Sequence, residues 1–120
     1  MKNYKELKIW VKGIEIVKMT YQLSKQIPNE EKYGIISQMT RAAVSIPANI
    51  AEGSGRNSEK DYARFLEIAL GSAFELQTYF IIAKEMGWTK SNDLNEAENN
   101  LLDEIKMIFS FISKLKQTIK

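Results

Sequence analysis

The residues able to do chemistry are few, and they gather in two sets. Gln38, Arg41, Ser45, Asn49 and Glu52 fall on one stripe of a helical wheel, and Ser72 and Glu75 lie in the next segment. Two carboxylates such as Glu52 and Glu75 could share a proton as an acid/base pair or hold a divalent cation. Both chemistries want further convergent ligands or a histidine, and the 120 residues contain no His and no Cys. That excludes a Ser-His-Asp triad, a Cys-His pair, a thiolate zinc site and a redox dithiol. The seven residues therefore read as a structural polar network that fixes helix register. No catalytic, metal or cofactor site is expected, and the chain is not expected to be an enzyme.

The second set is cationic. Lys2, Lys5, Lys8, Lys12, Arg56, Lys60, Lys114, Lys116 and Lys120 are candidates for contacting phosphates. The net charge is only +2, but residues 1–13 and 106–120 hold eight lysines against one acid, whereas 66–105 hold two lysines against eight acids. Whether these lysines can act together depends on the elements that carry them.

Those elements are helical throughout. From about Tyr4 to Gln26, Leu7, Trp10, Ile14, Val17 and Tyr21 recur at three- and four-residue steps, one face of an amphipathic helix. Ile27-Pro28 ends it, and Asn29 is placed to cap a second helix over about Glu30–Glu52. That helix carries Pro47 inside its apolar pattern, where a kink is expected. Gly53-Ser54-Gly55 breaks the chain. Ser58 followed by Asp61 opens a third helix that runs to Met86, with Gly87 as its C-terminal cap. A fourth helix opens at Ser91 or Asn92 and carries Leu94, Leu101, Ile105, Ile108, Ile112, Leu115 and Ile119. Four similar helices with short loops predict a single all-α domain over residues 1–120, an antiparallel up-down-up-down four-helix bundle. In that topology the start of helix one, the loop between helices two and three, and the end of helix four share one pole. The lysines meet there, and the acids meet at the other pole.

Some apolar residues are surplus to one bundle. Ile9, Ile16 and Leu23 lie about 180° from the Leu7–Tyr21 stripe, at the roughly 100° per residue of an α-helix. Phe74 shares the charged face of helix three, with Leu70 and Ile81 at its edge. A contiguous apolar patch on a monomer marks an interface. Ile9, Ile16, Leu23, Leu70, Phe74 and Ile81 are therefore expected to join copies of the chain into a homo-oligomer. The longest apolar run, Tyr79–Ala83, is far short of the roughly 20 residues that span a bilayer. No membrane partner is expected, and with no signal-peptide pattern in MKNYKELKIW the expected location is the cytoplasm.

The run Ser37-Gln38, Arg41-Ala42-Ala43-Val44-Ser45-Ile46-Pro47, Asn49-Ile50-Ala51-Glu52-Gly53 and Gly55-Arg56 resembles the hallmark of the 23S rRNA-intervening-sequence four-helix-bundle proteins. Leu7, Trp10, Tyr21, Pro28, Tyr33-Gly34, Phe65-Leu66, Gly71-Ser72, Glu75-Leu76 and Gly87 agree with it, so the likeness covers nearly the whole chain. The resemblance implies an up-down bundle assembled into a pentameric ring, encoded within insertions in bacterial large-subunit ribosomal RNA genes. Related bundles are accessory proteins of diversity-generating retroelements that bind reverse transcriptase and nucleic acid. The family supplies no biochemical activity. The expectation is a non-catalytic oligomer that binds RNA or a nucleoprotein through its basic pole. The alternative is a protein scaffold, docking for example a reverse transcriptase, without nucleic-acid contact.

Overall fold

In the computed structural model, which describes residues 3–119, short polar segments set where each helix begins and ends. Tyr4–Glu6 form a single 3-10 turn, and extended Leu7 then separates that turn from α1 (Lys8–Ser24). Asn29–Glu31 also make only one 3-10 turn, so the second helix does not start there. Gly34, at φ −105° and ψ −114°, resets the chain, and α2 runs Ile35–Ser54 as one helix through Pro47. Ser58 caps α3 (Glu59–Glu85) by accepting the Asp61 N–H at 3.1 Å. Gly87 ends it at φ +69°, and the Trp88 N–H returns to the Ala83 carbonyl at 3.1 Å. α4 covers Ser91–Thr118. The described residues contain no strand.

Each helix packs on its neighbours in sequence, and α4 closes back on α1, giving an antiparallel bundle of 48 × 23 × 22 Å. Ile16, Met39, Ile46, Ile50, Leu66, Leu76, Phe80, Leu101 and Ile108 fill its axis.

The phase of α1 corrects the sequence reading. Ile9, Ile16 and Leu23 do not face outward. They are core residues of this one chain, each no more than 4% exposed, and cannot form an interface between copies. The stripe that enters the core is Ile9, Gly13, Ile16, Thr20 and Leu23. Leu7, Trp10, Ile14 and Val17 are half-buried beside it, and Tyr21 is exposed. The misreading has a physical source. Gly13 and Thr20 lower the apparent hydrophobicity of the true core face, yet small residues there bring α1 close to its partners. A Cβ at Gly13 would lie 3.3 Å from Pro47 Cβ and 3.2 Å from Glu104 Oε2. Thr20 satisfies its buried hydroxyl by donating to the Ile16 carbonyl at 2.7 Å. Of the other expected interface residues, Leu70 is half-buried against the core, while Phe74 and Ile81 stay exposed.

Two other glycines respond differently to substitution. A Cβ at Gly53 would sit 2.8 Å from Phe65 Cβ and 3.0 Å from Tyr62 Cδ1, whereas one at Gly71 would meet nothing within 4 Å. Gly53→Ala should lower the unfolding free energy by about 1–3 kcal/mol through overpacking. Gly71→Ala should raise it by up to about 1 kcal/mol through helix propensity. Urea denaturation of both variants checks the pair.

Candidate functional site

The expected polar network forms in part. On the seam between α2 and α3 the Ser45 and Ser72 hydroxyls lie 2.8 Å apart. Asn49 Nδ2 donates to Ser45 Oγ at 2.9 Å and to the Ser45 carbonyl at 2.8 Å. The charged members do not join them. Glu52 pairs with Arg56 one turn away at 3.3 Å, and Glu75 accepts from the Tyr79 hydroxyl at 3.0 Å. Arg41 is exposed beside a shallow depression that it shares with Tyr21 and Val44, and among the described residues neither Arg41 nor Gln38 makes a side-chain hydrogen bond. The Ser45–Ser72 contact fixes the antiparallel register, which leaves Glu52 and Glu75 about ten residues, or roughly 15 Å, apart along the axis. At that separation two carboxylates cannot share a proton or a cation. No cluster of three potential metal ligands occurs among the described residues.

The basic residues do meet at one end. The Thr118 hydroxyl donates to Glu59, and Leu7, Lys8, Glu59, Lys114 and Thr118 line one depression. The start of α1, the start of α3 and the end of α4 are thus brought together. Several of the cations are already engaged. Lys12 donates to Asn100 Oδ1 at 2.9 Å and lies 3.9 Å from Asp103, Lys116 pairs with Glu67 at 3.2 Å, and Lys5 lies over the Tyr4 ring. Among the described residues Lys8, Lys60 and Lys114 have no ion-pair partner, and the same holds for Lys106, which was not singled out from the sequence. Lys2 and Lys120 lie outside the described residues. Sequence reasoning also missed that Arg56 and Arg64 both stack on Phe65, 4.5 and 4.6 Å from its centroid. The clue was the spacing around Gly53, which lets Phe65 settle against α2.

An apolar surface remains outside the core. The ion pairs Glu67–Lys116 and Lys84–Glu98 set the α3–α4 register. In that register Phe74 lies level with Phe109, and Ile81 with Leu102. Phe74 and Ile81 are 48% exposed, Leu102 41% and Phe109 61%, so the four make an apolar stripe bounded at each end by an ion pair. By length and composition α3 is apolar enough to cross a membrane. Here its alanine-rich inner face packs in the core, and the excess is this outer stripe together with Ile68 and Ile82.

Glu104 is the group that sequence reasoning overlooked entirely. It occupies a core position between Leu101 and Ile108, is fully buried, and neither carboxyl oxygen has a hydrogen-bond partner among the described residues. Burial pushes its carboxyl from the ordinary 4.5 up to about 8, against the opposing pull of the Lys12 ammonium. Its three- and four-residue spacing from Leu101 and Ile108 was the available signal.

The molecule is thus an all-α four-helix bundle whose apolar core encloses one carboxyl, Glu104, and one hydroxyl, Thr20. The family model of the 23S rRNA-intervening sequence protein matches residues 5–110, and this chain belongs to that family. Among solved structures it is similar to the crystal structure of a protein of unknown function from the S23 ribosomal protein family of Bacteroides thetaiotaomicron. The two are 26% identical over 87% of this chain and 97% of that one, with a TM-score of 0.80. Comparison with curated proteins finds no match.

The Glu104 proton makes stability depend on pH. Below about pH 4.5 the folded and unfolded chains both hold it; between there and about 8 only the folded chain does. Stability contributed by the group should therefore fall as pH rises through that window, by up to about 1.4 kcal/mol per unit, and level off above it. Glu104→Met should flatten the profile and raise stability at pH 7 by about 1–3 kcal/mol. Denaturation midpoints measured from pH 5 to 9 check both.

Proposed function

We propose that this chain is a non-catalytic, homo-oligomeric bundle that binds RNA through its basic end. The observation that carries the RNA reading is the set of Lys8, Lys106 and Lys114 around one depression, with Lys60 in the first turn of α3 and two guanidiniums held on Phe65. Ammonium groups free of protein partners can displace the counterions of a phosphate backbone. A stacked guanidinium offers both charge and a planar face to an unpaired base. The opposite end carries Glu30, Glu31, Glu85, Asp93, Glu96 and Glu98, so an approaching polyanion is repelled there and drawn to the basic end.

Assembly rests on the α3–α4 stripe, which takes over the role first expected of Ile9, Ile16 and Leu23. Burying the exposed halves of Phe74, Ile81, Leu102 and Phe109 against another copy would gain about 1 kcal/mol each. A ring of five, the number the family resemblance implies, would set five basic ends side by side and multiply their field.

RNA retention by filter binding should fall steeply between about 50 and 200 mM salt. Changing Lys8, Lys60 and Lys114 together to Glu should abolish it. A wild type that shows no retention at the lower salt would overturn the RNA reading. Light scattering behind size exclusion should give a multiple of 13.8 kDa for the wild type. Phe74→Glu with Phe109→Glu should reduce it to a monomer, and a wild type that is already monomeric overturns the assembly.

A further inference from the structure

The outer side of the seam between α1 and α4 is indented, although the Lys12–Asn100 and Gln26–Asp93 hydrogen bonds, 2.9 and 2.8 Å, cross it. Three depressions of about 660, 580 and 310 Å³ follow one another down it, the first two sharing Lys8 and Met107, the last two sharing Met19 and Glu96. They make one groove. Its floor is apolar, supplied by Leu7, Phe111 and Leu115 at one end and by Met107 and Met19 further along, with Val11 on its outer lip. Val11 is 47% exposed although it belongs to a core-packed helix.

Charge is segregated along the groove. Lys8, Lys106 and Lys114 rim the end nearest the start of α1, Lys12 lies between with its ammonium held by Asn100, and Glu15, Glu96 and Asp93 rim the other. Glu59, at the lysine end, is occupied by the Thr118 hydroxyl. Glu6 also lines the second depression.

We propose that the α1–α4 groove docks an amphipathic helix from a partner protein, with acids in the first half of that helix and bases in the second. Four observations fit this occupant. From Lys8 to Leu23 the walls run about 22 Å, which matches a helix of roughly 15 residues and exceeds what a compact metabolite needs. Two parallel ridges with an apolar floor accept a third helix by ridge-into-groove packing. Met19 and Met107 provide adaptable thioether contacts suited to a helical guest. Acid-first, base-last is also the order that complements a helix's own dipole. Such a helix therefore lies with its acidic start at Lys8, Lys106 and Lys114, antiparallel to α4 and parallel to α1. The groove shares Lys8, Lys106 and Lys114 with the RNA reading but differs from it at Val11, Met19 and Met107, which belong to no phosphate-binding set, so substitution at Val11 separates the two.

The test uses the full-length protein and two 16-residue peptides, each with a leucine stripe and a hydrocarbon staple on its outer face to equalise helicity. One carries Glu in its first half and Lys in its second, and the other has the halves exchanged. Fluorescence anisotropy should show the first binding at least about tenfold more tightly than the second. Val11→Glu should weaken the first peptide by at least about tenfold while leaving RNA retention unchanged. Lys106→Glu with Lys114→Glu should remove the preference between the peptides. The proposal is overturned if neither peptide binds below about 1 mM, if both bind alike, or if Val11→Glu has no effect. It is equally overturned if palmitate binds and the peptides do not, which makes the groove a lipid site. A Val11→Glu variant that lowers the oligomer order overturns it in favour of a second copy of this chain.

Discussion

The close approach of α1 to the rest of the bundle at Gly13 is the contact on which the remaining packing depends. With no side chain there, the helix backbone comes down onto the Pro47 ring and the Glu104 carboxyl together. Pro47 supplies no N–H to the Ala43 carbonyl, so α2 gives up one internal hydrogen bond at this level and gains a flat apolar surface. Gly13 rests on that surface. The same approach closes off Glu104 from water and leaves it neutral near pH 7. Three helices thus meet through a glycine, a proline and a protonated acid, none of which a hydrophobicity scale ranks as core.

That trio also explains what could be read in advance and what could not. The helices at Ser58–Asp61 and Gly87 were legible because capping chemistry is local, set by a hydroxyl, an N–H and a positive φ. The bundle was legible because every segment keeps a helical period. The phase of α1 was not. Leu7, Trp10, Ile14, Val17 and Tyr21 are the more apolar face, but core membership in a tightly packed pair is decided by how near the backbones come, and Gly13 and Thr20 allow the nearer approach. Gly34 likewise interrupts a pattern that capping at Asn29 would have continued, so α2 begins at Ile35.

The surface features were legible to different degrees for the same reason. Ser45, Asn49 and Ser72 meet as their wheel positions require. Glu52 and Glu75, drawn together on paper, each find a partner one turn away on their own helix, because a local ion pair or hydroxyl costs less conformational order than a reach of roughly 15 Å across the bundle. Topology alone placed the lysines at one end. Which of them stay unengaged followed from individual neighbours such as Asn100 and Glu67, which no one-dimensional pattern reveals.

Gly53 has a reach beyond its own helix. Its missing Cβ leaves the space into which Phe65 sinks, and that ring is the shelf on which Arg56 and Arg64 lie. Each guanidinium is also met by a carboxylate about one turn away, Arg56 by Glu52 at 3.3 Å and Arg64 by Asp61 at 3.5 Å, so ring and carboxylate together restrict its rotamers. An uncharged backbone position in the middle of α2's last turns thus governs how firmly the cationic end is held. A methyl group added there would blur the aim of two charges it never touches.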